Sequence, residues 1–251
     1  MSFDLQTTFP TLPNAPITEA TIDFRVNRNP DVSLEDVGNF QTGLESEFPE
    51  KIERKSFQTR IDFEQGEARV VTPPVTPDGY VFRSKKEPLV VQASFDGFTL
   101  SRLKPYQEWA VFVERARELW QRYLRVSRPT KVTRLAVRNT NRISIDPGTD
   151  LFGFILTGPQ IAMALPQTMV GFFMRLVIPD QSGAVAIINE TFGELEKGES
   201  ALPVIFDIDA FREMEFDPQD AGIWEVLDEL RRFKNRIFFN SLTAKALERY
   251  R

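Results

Sequence analysis

The sequence contains no cysteine and no histidine. Without cysteine there is no disulfide, thiolate nucleophile or cysteine-held cluster, and without histidine there is no Ser-His-Asp triad and no histidine-ligated zinc. A group titrating near neutrality has to be a carboxylate, lysine or tyrosine shifted by its surroundings. These absences point away from an enzyme. Glycine is also sparse, 13 residues in 251, and no Gly-x-Gly-x-x-Gly or Walker pattern occurs, so the usual nucleotide cradles have no support. The aromatic residues are lopsided, with 22 Phe against 4 Tyr and 3 Trp, which favours core packing over polar ring contacts.

Long apolar runs are missing too. Residues 151–174 carry no charge and are long enough to span a bilayer, but Gly158, Pro159, Gln160, Pro166 and Gln167 break them into pieces. The expectation there is loop and short helix, with no membrane role. The opening MSFDLQTTFP has neither a basic nor an apolar leader segment, so the expected location is cytoplasmic. What is present is an ordinary globular balance, 41% hydrophobic and 27% charged residues, with a net charge of −5. That charge argues against broad coating of DNA or anionic membrane while leaving room for a local basic groove.

Periodicity divides the chain into two cycles. Residues 17–26 read as a strand with Ile22, Phe24 and Val26 on one face, and Ser33 caps a helix expected over 33–48 with Asp36 as its capping-box partner. Strands are expected over 52–64, 67–72 and 80–84, with a turn at Gln65-Gly66 and a loop at Pro73, Pro74 and Pro77. A hairpin over 88–103 turns on Asp96-Gly97, and a long amphipathic helix occupies 106–126. After Pro129 come a strand over 131–145, an irregular stretch, a hairpin over 169–190 and a strand over 202–208. A closing helix rests on Ile223, Leu227, Leu230 and Phe233, and a last short helix is capped by Ser241. The same number of residues separates Pro88 from Pro203 as Trp109 from Trp224. The pattern predicts an α+β fold of two similar halves, 1–128 and 129–251, each an antiparallel sheet backed by a long helix and together a pseudo-repeat.

Five segments are distinctive as a set: LPNAPITEATIDFRV at 12–26, LKPYQEW at 103–109, VTRLAVRNTNRISI at 132–145, FDIDAF at 206–211 and IFFNSLTAKALERYR at 237–251. In these the chain resembles, over nearly its whole length, a sporadically distributed, uncharacterised family of prokaryotic proteins of about this size. None of the motifs is a catalytic signature. The resemblance implies a cytoplasmic accessory protein of the patchy distribution associated with mobile or defence-related genes.

Two constellations carry possible chemistry. Arg134, Arg138 and Arg142, four apart, share one face of the predicted strand, opposite Asn139 and Asn141. Such a row of guanidinium forks suits phosphates, a carboxylate ligand or an acidic surface, and equally suits cross-strand ion pairs with neighbours such as Glu190. Asn141 is a candidate to fix a turn or bulge. Asp207 and Asp209, two apart on a strand, could chelate a divalent cation such as magnesium with Glu190 as a third donor; alternatively they are the polar half of an alternating strand, with Asp209 capping a turn over 210–213. Phe172 and Phe173 beside Arg175 could stack a base, although core packing is the simpler role. Apart from that cation, no cofactor is implied. The expected function is a binding or interaction protein without catalysis, an accessory or neutralising partner of a neighbouring gene product, with a homodimer also compatible. The alternatives are a nucleic-acid binder with a saddle-like arginine sheet and a metal-dependent phosphoryl or nucleotide enzyme.

Overall fold

A computed structural model describes residues 9–55, 60–64, 67–71, 76–106 and 108–251. Its strands are β1 (Ile17–Val26), β2 (Glu50–Lys55), β3 (Arg60–Glu64), β4 (Glu67–Val71), β5 (Pro77–Arg83), β6 (Leu89–Ser94), β7 (Gly97–Leu103), β8 (Val132–Ile145), β9 (Phe173–Pro179), β10 (Val185–Phe192) and β11 (Leu202–Phe216). The helices are α1 (Leu34–Gly38), α2 (Trp109–Ser127), α3 (Gly222–Ser241) and α4 (Ala244–Glu248). Nine strands form a single sheet in the order β2-β5-β6-β7-β1-β8-β11-β10-β9, every neighbouring pair antiparallel, and β3-β4 pair apart from it.

This corrects the expectation of two sheets, each backed by its own helix. β1 and β8, which were to open separate halves, pair with each other from Ile17↔Asn141 to Val26↔Val132. Two half-sheets would each leave an unpaired edge of backbone donors and acceptors there, and the pairing removes both edges at once. The residue offsets that suggested a repeat do not mark like strands either. Pro88 precedes β6, which is separated from β1 by β7, whereas Pro203 lies inside β11, directly beside β8.

The alternation of the central strands sends one set of side chains into one continuous core. Ile22 and Phe24 of β1, Leu135 and Val137 of β8, and Phe206 and Ile208 of β11 are all buried within it. Both long helices lie on this face. Phe24 stacks on Trp120 of α2 with centroids 4.3 Å apart and meets Trp224 of α3 edge-on at 5.7 Å, so one ring joins the sheet to both helices. Trp120 Nε1 donates to Pro218 O at 3.1 Å and the Tyr123 hydroxyl donates to Ser94 O at 2.8 Å, so the polar tips of these buried rings are satisfied.

Local corrections follow from tertiary contacts. Ser33 and Asp36 form the expected capping box, but α1 ends at Gly38, passes through a 3-10 turn at Asn39–Gln41 and does not continue to residue 48. Ser94 pairs with Gly97, so the β6-β7 turn is Phe95-Asp96 and not Asp96-Gly97. Gly97 is required for a different reason, since a Cβ there would lie 2.7 Å from Phe24 O of β1. Pro77 opens β5 instead of lying in a loop, and β11 runs on to Phe216, leaving no turn for Asp209 to cap. Ser241 ends α3, and Thr243 caps α4 by accepting from Ala246 N at 3.2 Å. The Gln65-Gly66 turn, Pro73 and Pro74 lie outside the described residues. No described helix is long and apolar enough to cross a membrane.

Candidate functional site

Around β1 and β8 the face of the sheet opposite the helices is polar. Odd-numbered residues of β1 (Glu19, Thr21, Asp23, Arg25) meet even-numbered residues of β8 (Arg134, Arg138), because the antiparallel register pairs Thr21 with Arg138 and Arg25 with Arg134. β7 contributes Thr99 and Ser101, β6 contributes Gln92, β11 contributes Asp209, and Arg54 reaches in from β2. Together these eleven residues line an open depression of about 390 Å³, and none of them is apolar.

Arg134 lies between two carboxylates, with Nη1 3.1 Å from Asp23 Oδ1 and Nη2 2.7 Å from Asp209 Oδ2, and its guanidinium covers the Phe211 ring at 4.3 Å. Arg138 grips Asp207 with both arms of its fork, Nε to Oδ1 at 2.6 Å and Nη2 to Oδ2 at 3.0 Å. Asn189 of β10 donates to the same carboxylate at 3.0 Å, and Arg175 of β9 reaches Asn189 Oδ1 at 3.3 Å. On the other side, Thr99 donates to Asp23 at 2.7 Å and Arg25 Nε lies 3.3 Å from it. Arg54 bridges Asp78 at 3.5 Å and Asp96 at 3.8 Å. The Asp207 fork holds the Arg138 guanidinium more firmly protonated than usual, while burial pushes the Asp209 carboxyl up against the pull of Arg134.

The two constellations read separately in the sequence are therefore one. β11 lies beside β8 with Asp209 opposite Arg138 and Asp207 opposite Thr140, so the aspartates are the partners of the arginines. Arg142 is on the same face but apart from the depression, held by Glu199 and by Glu194 O at 2.9 Å. Asn141 makes no turn. It is 1% exposed on the core face and donates to Phe206 O at 2.9 Å. Glu190, paired with Phe206, also faces the core, on the opposite side of the sheet from Asp207, and so neither completes a metal site with the aspartates nor pairs with the arginines. Among the described residues no group of three or more carboxylates is placed to hold a metal ion. In comparisons with known proteins, no protein-family model matches the chain and no curated protein matches its sequence.

Sequence reasoning missed the N-terminal contribution: Asp23, Arg25, Arg54 and Thr99 complete the depression. The alternation of β1 was the available signal, since Glu19, Asp23 and Arg25 share the face opposite Ile22 and Phe24. A second depression, of about 450 Å³, lies between the C-terminal end of α2 and the β11-α3 loop. It is larger but chemically poorer, because its one carboxylate, Asp217, is engaged by the Gln219 backbone N–H at 2.8 Å.

Proposed function

We propose that the chain is a non-catalytic interaction protein that docks a protein partner on the open polar face, as an accessory or neutralising component of the kind its family resemblance implies. The observation that carries this reading is the mixed-charge lining of the depression. Four arginines and three carboxylates from four strands intermingle there, and the arginines are already engaged by carboxylates. A polyanion such as nucleic acid would have to displace Asp23, Asp207 and Asp209 from Arg134 and Arg138 before gaining those contacts, whereas a protein surface bearing both signs can add to the lattice without breaking it. Arg25 and Arg138, with side chains 42% and 52% exposed, are the residues most available to such a partner.

The test is affinity capture from the native host with the tagged chain, beside Arg25→Glu plus Arg138→Glu, each checked for folding by circular dichroism. The expected result is a stoichiometric protein that the double variant loses. Capture that the variant leaves unchanged contradicts the assignment. Recovery of nucleic acid whose binding weakens steeply with salt and disappears in the variant would replace it with the nucleic-acid alternative.

A further inference from the structure

The core face of the sheet carries charge where its alternation calls for apolar side chains. One register row runs Arg102 of β7, Ala20 of β1, Asn139 of β8 and Ile208 of β11. Arg102 and Asn139 thus stand two strands apart, about 10 Å, with only the Ala20 methyl between them. Arg102 is 3% exposed, and its Nη1 donates to Glu87 Oε2 at 2.9 Å while its buried Nε has no partner. Lys234 of α3, 5% exposed, comes down on the same row, its Nζ 2.8 Å from the Asn139 side-chain amide and donating to Asn235 Oδ1 at 3.0 Å. Arg231, one turn earlier on α3, lies 5.6 Å from the Trp109 ring.

These groups feel one another. Both Arg102 and Arg231 act on the buried Tyr106 hydroxyl, and Arg231 together with burial depresses Lys234 to about 7. The adjacent carboxylates are occupied: Glu87 takes the Nη1 side of Arg102, and Asp228 accepts from Trp109 Nε1 at 2.6 Å. Like charges gathered at a helix-sheet interface are costly unless something of opposite sign joins them, and a buried guanidinium Nε without an acceptor is a group that calls for an occupant.

We propose that Arg102, Arg231 and Lys234 form a binding site for a small oxyanion, the phosphate or carboxylate end of a metabolite. The oxyanion lies on the free Nε edge of Arg102 and on the Lys234 ammonium, above Ala20, with Tyr106 and Trp109 as its aromatic wall. The Nε edge presents donors to two oxygens side by side, as carboxylate and phosphate require. The bound negative charge supplies what the interface lacks and restores the proton to Lys234. This site is on the opposite side of the sheet from the polar depression and stands or falls apart from it.

The experiment is titration of the full chain with sodium phosphate and, separately, with sodium succinate, at ionic strength matched by sodium chloride and on the acid side of pH 7. Thermal unfolding and tryptophan fluorescence are the readouts. The expected result is a saturable rise in Tm and a fluorescence change with at least one of the two anions and with chloride alone neither. Arg102→Gln and Arg231→Gln should each weaken the affinity on the order of tenfold. Arg231 is half-buried, so its replacement keeps the test valid if Arg102→Gln does not fold. A response to phosphate alone identifies a phosphate end, and a response to succinate alone a carboxylate end. No saturable response to either anion, or one that Arg231→Gln leaves unchanged, overturns the proposal.

Discussion

Glu190 is the residue whose environment departs furthest from its chemistry. It is fully buried, neither carboxylate oxygen has a hydrogen-bond partner, and burial pushes its pKa up to about 8. The unfolded chain releases this proton near 4.5 while the folded chain keeps it to about 8, so stability falls as pH rises between those values. Lys234 works in the opposite direction. Its folded value is about 7 against an ordinary 10.5, so between them the unfolded chain binds the extra proton and stability rises with pH. Together they predict a minimum in Tm near pH 7 to 8. Glu190→Gln should remove the falling limb and stabilise the protein at pH 8, on the order of a few kcal/mol. Lys234→Met should remove the rising limb. Thermal unfolding across pH measures both, and a wild-type profile unchanged in Glu190→Gln would mean that the carboxyl ionises freely in the folded chain.

Single elements show which local signals were decisive. Gly97→Ala would set a Cβ against the β1 carbonyl of Phe24 and should cost about 1–3 kcal/mol, measurable by urea denaturation; a neutral outcome would imply that β1 and β7 can separate without penalty. Thr243→Ala removes the cap of α4 and should cost about 1 kcal/mol. Arg134→Ala leaves Asp23 and Asp209 facing each other without their shared cation. A loss of about 1–3 kcal/mol is expected, larger than for an exposed pair because these side chains are mostly covered. β1 was legible because its side chains alternate from Ala20 to Val26, and the capping box at Ser33 was legible because it is a purely local device. The extent of α1 was not, since the tight turns after Gly38 depend on non-local contacts such as the hydrogen bond from Lys51 Nζ to Gly38 O at 3.1 Å. The β6-β7 hairpin was legible but its turn was displaced by one residue, because Gly97 serves the neighbouring strand and not the turn.

At the scale of the whole molecule, strand partners were the hidden quantity. Period-two spacing correctly placed Arg134, Arg138 and Arg142 on one face and Asp207 and Asp209 on one face, but spacing carries no information about which strands lie side by side. Once β11 pairs with β8, two apparent binding motifs become each other's counter-ions, and once β1 pairs with β8, two expected half-sheets become one nine-stranded sheet with both long helices on its core face. Both described long helices lie on the core face, and the polar depression lies on the other. The most direct test of its assignment is arginine labelling of the chain, read by mass spectrometry, with and without the protein it captures. Arg25 and Arg138 should become protected in the complex, while Arg117, 44% exposed on α2 across the sheet, should label equally in both states. Protection of Arg117 with Arg25 and Arg138 unchanged would place the partner on the helices and contradict the open-face assignment.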